Sequence, residues 1–127
     1  MIVAISSTGT SLESKVDSRF GRCPFFIIYN TDNDSFEHVE NQARQAMGGA
    51  GIQTGQMIAD RGVKAVITGN VGPNAFKVLS AAGIEIYSGI SGQVSDAVQK
   101  LKDGQLQGTS APDVESHFGT GGGGGNN

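Results

Sequence analysis

The groups best able to bind a ligand in this 127-residue chain lie in the segment 17–26, which reads DSRFGRCPFF. It contains the only cysteine, Cys23, and two of the nine basic residues, Arg19 and Arg22. The segment leads directly into the apolar run 25–29, which is typical of a buried strand. A thiol and two guanidinium groups at the start of a buried strand could hold an anion or a soft metal ion.

Each of these three side chains also has a purely structural interpretation. Cys23 precedes Pro24 and enters the strand, so it could be a small buried hydrophobic residue. A single cysteine forms no internal disulfide and cannot build a metal site by itself. Arg19 and Arg22 could be solvated or paired with Asp17. The residue types alone leave both interpretations open.

Three glycine-rich loops precede predicted helices and offer a second kind of binding group. They span residues 48–51, 69–72 and 89–92, and the latter two directly follow predicted strands. Ligands of open α/β sheets bind at the carboxyl ends of such strands, where helix N-termini present unpaired N–H groups and a partial positive charge. These two loops therefore predict two half-sites for an anion. Turn geometry alone is the alternative, and no loop matches the phosphate-binding pattern that ends in Gly-Lys-Ser/Thr.

The positions of apolar residues predict the elements that hold these loops. Apolar or alternating runs predict five strands, at 2–5, 25–29, 36–40, 65–67 and 84–87. Helical periodicity and glycine stops predict three helices, at 52–61, with Ile52 on its apolar face, 73–82 and 94–101. The order β-β-β-α-β-α-β-α predicts an α/β sandwich, whose five-stranded mixed sheet combines an antiparallel hairpin of the second and third strands with parallel strands.

The long loop 6–22 leaves the first strand at its carboxyl end. If that strand runs parallel to the strand at 65–67, the loop lies at the same end of the sheet as the glycine-rich loops. Arg19, Arg22 and Cys23 are then expected to approach those loops.

Composition indicates a single domain in a cytoplasmic protein. We expect residues 1–107 to fold as this domain and the glycine-rich residues 108–127 to form a disordered tail. The formal net charge of −3 and the lack of a Lys/Arg cluster argue against general nucleic-acid binding. No apolar run is long enough for a membrane span, and the first residues do not resemble a signal peptide. The lone cysteine fits a reducing compartment.

The residues do not assemble a catalytic site, so we expect a protein that is not an enzyme. One histidine, His38, falls on a predicted edge strand and the other, His117, in the predicted tail. The strand order also fits a ribonuclease H-like sheet, whose nucleases hold two divalent metals with clustered carboxylates, one of them on the first strand. Residues 2–7 carry no carboxylate, which argues against nuclease activity.

Two segments resemble the dinitrogenase iron-molybdenum cofactor biosynthesis family. They are residues 17–26 and the stretch 68–75, which reads TGNVGPNA. The family includes NifX-type carriers, the C-terminal part of NifB-type proteins and small stand-alone members, and the resemblance covers about residues 1–102. It implies a ribonuclease H-like three-layer α/β sandwich without nuclease activity, which binds or carries an anionic metal–sulfur cluster.

The resemblance also assigns candidate site residues. The positions that match the two family motifs are Arg19, Gly21, Arg22, Cys23, Gly69, Asn70, Gly72 and Asn74. Arg19 and Arg22, together with backbone N–H groups, would offset the negative charge of an iron–sulfur or molybdenum-containing cluster. Cys23, as a thiolate, would ligate one of its metals.

The function that the resemblance implies is a non-enzymatic carrier or chaperone of such a cluster, with cluster donor or acceptor proteins as partners. A binding module for a phosphate-bearing metabolite or nucleotide would use the same helix N-termini, and an interaction protein without a small ligand is a third hypothesis. We expect a monomer, because Glu37, His38 and Glu40 make the edge strand 36–40 less prone to pair with another chain. We also expect no nucleic-acid or membrane partner.

Overall fold

The computed structural model describes residues 1–113 and contains the five strands and three helices that the sequence predicts. The strands are β1 (Ile2–Ser7), β2 (Phe25–Asn30), β3 (Ser35–Glu40), β4 (Ala65–Ile67) and β5 (Glu85–Tyr87). The helices are α1 (Ala50–Ala59), α2 (Pro73–Ala81) and α3 (Val94–Lys102), and a short 3₁₀ helix, Gln42–Gln45, lies in the predicted loop before α1. None of the helices within residues 1–113 combines the length and the apolar character needed to cross a bilayer.

The five strands form one mixed sheet in the order β3-β2-β1-β4-β5. β1 pairs with β2 and β2 pairs with β3 in antiparallel ladders, so the predicted hairpin is confirmed. β1 pairs with β4 and β4 pairs with β5 in parallel ladders. The carboxyl ends of β1, β3, β4 and β5 therefore meet at one end of the sheet, which we call the carboxyl end. The loops that lead into all three helices begin there.

Side chains that alternate along the strands bury both faces of the sheet and give three layers. On one face, Phe26 belongs to a buried cluster with Ile58 of α1 and Leu79 of α2. On the other face, Ile27 belongs to a second buried cluster with Val98 of α3. Each large side chain buried in this way contributes about 1.5–3 kcal/mol to stability. The predicted ribonuclease H-like three-layer α/β sandwich is confirmed.

Glycines at positions i and i+4 bring α1 close to α2. A Cβ atom at Gly51 would lie 3.5 Å from Ala75 Cβ, and one at Gly55 would lie 3.1 Å from Val78 Cγ1. This packing directs the glycine face of α1 toward α2. Ile52, which the sequence placed on the apolar face of the helix, is consequently 39% exposed.

Ordered contacts continue past residue 107, where the sequence predicts that the folded domain ends. Thr109 donates its N–H to Ile86 O at 2.7 Å, and Asp113 donates its N–H to Val71 O at 2.9 Å. The edge strand β5 leaves backbone groups without a strand partner, and this segment satisfies one of them. The rest of the predicted tail, which includes His117, lies outside the described residues.

Candidate functional site

The loop after β1 packs against the loop after β4 at the carboxyl end of the sheet. Arg19 and Asn70 form an isolated parallel bridge, in which Phe20 donates its N–H to Asn70 O at 3.1 Å. The Asn70 side-chain amide donates to Ser18 O at 3.0 Å. The predicted meeting of the first segment with the loop 69–72 is confirmed, and it follows from the parallel pairing of β1 with β4.

The absence of a side chain at Gly69 makes this contact possible. A Cβ atom at Gly69 would lie 2.5 Å from Ser18 Cα and 2.9 Å from Ser18 O, closer than van der Waals contact allows. The Gly69 N–H donates to Asp17 O at 3.3 Å, and Ser6 Oγ donates to the same oxygen at 2.8 Å. Gly69 therefore joins the two loops, which is a structural role.

A pocket of about 300 Å³ opens between the N-termini of α1 and α2. Four of the eight predicted site residues line it: Gly21, Arg22, Gly72 and Asn74. Residues 49–51, at the start of α1, form the rest of the wall together with Pro73 and Ala75. The structure thus brings half of the predicted site together around one concave surface, whereas the other half belongs to neighbouring contacts.

The N-terminal residues of both helices contribute a positive electrostatic potential to this pocket. Glycines occupy both N-cap positions, Gly49 and Gly72, and a glycine has no side chain that could accept the first-turn N–H bonds. The first turns, residues 50–53 and 73–76, contain only uncharged side chains. The partial positive charges of two helix N-termini therefore act on one pocket, which favours an anion.

Arg22 adds a full positive charge at the wall of the pocket. Its Nη1 donates to Arg44 O at 2.6 Å and to Ala46 O at 2.9 Å, which are carbonyls at the end of the 3₁₀ helix. These two bonds occupy the hydrogens of Nη1, so a hydrogen bond to a ligand would come from Nε or Nη2. Because two carbonyls already orient the guanidinium, less conformational entropy is lost when it binds an anion.

Arg19 does not line this pocket and is paired with Asp17. The Asp17 carboxylate, whose side chain is 6% exposed, accepts bonds from the Arg19 backbone N–H at 2.9 Å and from Arg19 Nε at 3.3 Å. The Arg19 side chain is 62% exposed, so the ion pair alone contributes little to stability. The structural interpretation of Arg19 is confirmed, and anion binding by its outer nitrogens stays a prediction.

Cys23 is a core residue in the structure. Its side chain is 0% exposed, it belongs to the cluster that contains Phe26, and its thiol donates to Phe20 O at 3.4 Å. Burial, with a smaller contribution from the charge of Asp17, raises the pKa of Cys23 from its ordinary 9.0 to about 12. A buried, protonated thiol is not placed to ligate a metal in the pocket. The structure therefore favours the buried-hydrophobe interpretation over the predicted ligand role.

Alkylation of Cys23 is expected to be slow in the folded protein. Because the thiol is buried and its pKa lies at about 12, iodoacetamide at mildly alkaline pH should label the folded protein at least about 100-fold more slowly than protein in concentrated guanidinium chloride. Mass spectrometry over time measures both rates. Equal rates in the two conditions would mean that the thiol is accessible at the surface.

The raised pKa also gives stability a defined pH dependence. The unfolded chain loses the thiol proton at its ordinary pKa of 9.0, whereas the folded chain keeps it up to about 12. The stabilisation is therefore fully present below pH 9.0 and is lost as the pH rises toward 12. Urea unfolding of Cys23→Ala over the same range isolates this contribution, because the variant lacks only the thiol.

The third glycine-rich loop, 89–92, forms no half-site, so this part of the prediction is wrong. The loop after β1 covers the start of α3, where Val94 donates its N–H to Ser14 O at 2.8 Å. The N–H of the next residue of α3 also donates to a carbonyl of this loop. These carbonyls satisfy first-turn N–H groups that a ligand would otherwise use. The loop 48–51 takes this place instead, because α1 lies beside α2 on the same face of the sheet.

Two buried polar side chains that the sequence did not single out hold Gly21 in place. Asn41 Nδ2 donates to Gly21 O at 3.2 Å and to Cys23 O at 2.9 Å, and Thr54 Oγ1 donates to Asn41 Oδ1 at 3.2 Å. A Cβ atom at Gly21 would lie 3.3 Å from Gly51 Cα, so the two backbones approach closely. The only sequence signal for Asn41 is its turn-forming residue type, which does not indicate a long-range contact.

Residues 1–113 contain no group of three or more His, Cys, Asp or Glu side chains arranged to hold a metal ion. His38 lies on β3 and packs edge-on against Phe25, with ring centroids 6.1 Å apart. The pocket offers N–H donors and a guanidinium, which suit an anion better than a bare cation.

The model of the protein family described as dinitrogenase iron-molybdenum cofactor matches residues 1–104. The chain belongs to this family. The resemblance carried by the segments 17–26 and 68–75 is thereby confirmed. The family is linked to the biosynthesis of iron–molybdenum cofactor.

The chain is similar in fold to two solved structures and similar in sequence to a further protein. The apo form of the orange protein from Desulfovibrio gigas has a TM-score of 0.87 at 35% identity, and the match covers 89% of this chain and 96% of that one. A putative NifB protein from Thermotoga has a TM-score of 0.78 at 38% identity, with 90% and 97% covered. An uncharacterized protein of Methanocaldococcus jannaschii is 31% identical over 97 residues, which are 74% of this chain and 82% of the relative.

Proposed function

We propose that this protein is a non-enzymatic carrier of an anionic metal–sulfur cluster, which it holds in the pocket between α1 and α2. The observation that carries the proposal is the convergence of two glycine-capped helix N-termini and Arg22 on one pocket. The sulfide and oxo groups of a polyanionic cluster accept hydrogen bonds from backbone N–H groups and from a guanidinium. The pocket volume of about 300 Å³ leaves room for an anion of several atoms.

The cargo in this proposal is held by hydrogen bonds and charge rather than by coordination. The thiol of Cys23 is buried, and residues 1–113 supply no cluster of metal-ligating side chains. A cluster that has no bond to a protein atom leaves without breaking a coordinate bond, which suits a protein that passes its cargo on. The partners are therefore proteins that donate and accept the cluster.

The names of the relatives support this class of cargo. The orange protein of D. gigas is described in an apo form, which is the term for the ligand-free state of a protein that binds one. The Thermotoga relative is described as a putative NifB protein. The description of the family names an iron–molybdenum cofactor, which supports an iron–sulfur or molybdenum-containing cluster as the cargo. A cytoplasmic location is part of the proposal, because a free thiol and a sulfide-rich cargo persist in a reducing compartment.

Anaerobic reconstitution tests the carrier proposal. The purified protein is incubated with iron and sulfide, with tetrathiomolybdate, or with tetrathiomolybdate and copper, and is then desalted. We expect metal to elute with the protein in a fixed ratio in at least one arm, with a charge-transfer band in the visible spectrum. If no arm leaves metal on protein that keeps its native circular dichroism spectrum, the carrier proposal is wrong.

A phosphate-bearing metabolite or nucleotide is the second candidate ligand, because paired helix N-termini favour any compact anion. Isothermal titration calorimetry with inorganic phosphate and a nucleoside diphosphate distinguishes it from a metal–sulfur cargo. Heat of binding with these compounds, combined with no retained metal, would favour this candidate. The absence of heat with every phosphate compound would count against it.

A further inference from the structure

A segment that follows α3 runs along β5 and reaches the loop before α2, and we call these residues, 105–113, the strap. Gln105 donates its N–H to Lys100 O at 2.9 Å, which turns the chain back from the helix. The Thr109 N–H then donates to Ile86 O at 2.7 Å, and Thr109 Oγ1 accepts the N–H of Ser88 at 3.0 Å. The strap is therefore fixed along the outer edge of the sheet before it reaches the loop after β4.

Asp113 closes a pair of reciprocal hydrogen bonds with Val71. Its backbone N–H donates to Val71 O at 2.9 Å, and its Oδ2 accepts the Val71 N–H at 2.9 Å. Val71 itself is 0% exposed, so both of its backbone groups would be costly to leave without partners. The strap thus supplies the partners that the loop cannot supply from its own residues.

Val71 stands at the junction between the two halves of the candidate site. On one side, Asn70 is bonded to the loop after β1, and on the other, Gly72 begins the wall of the pocket. The Val71 side chain belongs to the same buried cluster as Phe20 and Ala75, and Ala75 also lines the pocket. A displacement of Val71 would therefore move the N-terminus of α2 relative to Arg22.

We propose that Asp113 is a positioning residue for the pocket, because its reciprocal bonds with Val71 hold the N-terminus of α2 where an anion binds. This inference rests on the proposed function for its ligand. The positioning role predicts that removal of Asp113 changes the affinity for an anion in the direction opposite to the one that charge alone predicts. Removing a carboxylate near an anion site should strengthen anion binding through charge alone, whereas loss of positioning should weaken it.

Tetrathiomolybdate binding to the full chain tests this proposal with two variants of Asp113. Asp113→Ala removes the acceptor for the Val71 N–H and is expected to weaken binding about tenfold. Asp113→Asn removes the same charge but keeps a side-chain oxygen that accepts this N–H, so binding should stay within about twofold of the parent. Asp103→Ala is the matched control, because it also removes a carboxylate but at the end of α3, before the strap begins. That carboxylate accepts a hydrogen bond from Gln99 at 3.0 Å.

Amide hydrogen exchange supplies a readout that needs no ligand. In Asp113→Ala, exchange in residues 70–75 is expected to be at least about tenfold faster, with β1 unchanged. Unchanged exchange in residues 70–75, or binding by Asp113→Ala as tight as that of the parent or tighter, would overturn the positioning role. If the parent itself binds no tetrathiomolybdate, this ligand assignment fails, and the exchange measurement alone decides whether Asp113 holds the loop.

Discussion

Replacing Gly69 by alanine is expected to lower the free energy of unfolding by at least about 2 kcal/mol. The new Cβ atom would lie 2.5 Å from Ser18 Cα and 2.9 Å from Ser18 O, which are backbone atoms that cannot rotate away. One of the two loops must therefore move, and the bond from the Gly69 N–H to Asp17 O, already 3.3 Å long, lies at the same contact. Urea unfolding followed by circular dichroism measures the change.

Gly72→Ala is the matched control for this substitution, since the two glycines lie in the same loop. The backbone at Gly72 has φ −79° and ψ 175°, which any residue adopts, and an added Cβ atom meets no described atom within 4 Å. Its stability should be unchanged or raised by up to about 1 kcal/mol, because alanine restricts the unfolded chain. Equal destabilisation by the two variants would contradict the close packing of Gly69 against Ser18.

The fold could be predicted because local patterns and global topology agree in this chain. The apolar run of β2, the proline at the first position of α2 and the i, i+3, i+4, i+7 spacing of Val94, Ala97, Val98 and Leu101 each specify one element. The loop after β1 reaches Asn70 because parallel strands end on the same side of a sheet. That half of the site follows from the order of elements alone.

The other half depends on contacts between loops, which residue types do not specify. The carbonyl of Ser14 accepts an N–H at the start of α3, whereas α1 and α2 lie on the same face of the sheet and form the pocket together. The depth of Cys23 depends on the loop packed above it, and its residue type fits both a ligand and a core position. Glycines that bring α1 against α2 also turn Ile52 outward, although its apolar character predicts burial.

Arg22→Ala is expected to weaken tetrathiomolybdate binding between about tenfold and 100-fold, the largest effect predicted for a side chain that lines the pocket. Hydrogen bonds to a charged group contribute about 1.5–3 kcal/mol each, and Arg22 is the only charged residue among those that line this pocket in residues 1–113. Titration followed by calorimetry, or by the visible absorbance of the thiometallate, measures the dissociation constant.

Two further variants separate the causes of this loss. Arg61→Ala removes the same charge from an arginine that lies 3.9 Å from Glu37, beyond the opposite end of α1, so it should leave binding unchanged. Arg22→Lys keeps the charge but not the planar fork that binds Arg44 O and Ala46 O while presenting other N–H groups to the ligand, so its affinity should be intermediate. Both variants lose one positive charge, but only Arg22→Ala loses a guanidinium at the pocket. Equal weakening by Arg61→Ala and Arg22→Ala would therefore mean that the affinity for the anion depends on the net charge of the protein rather than on this pocket.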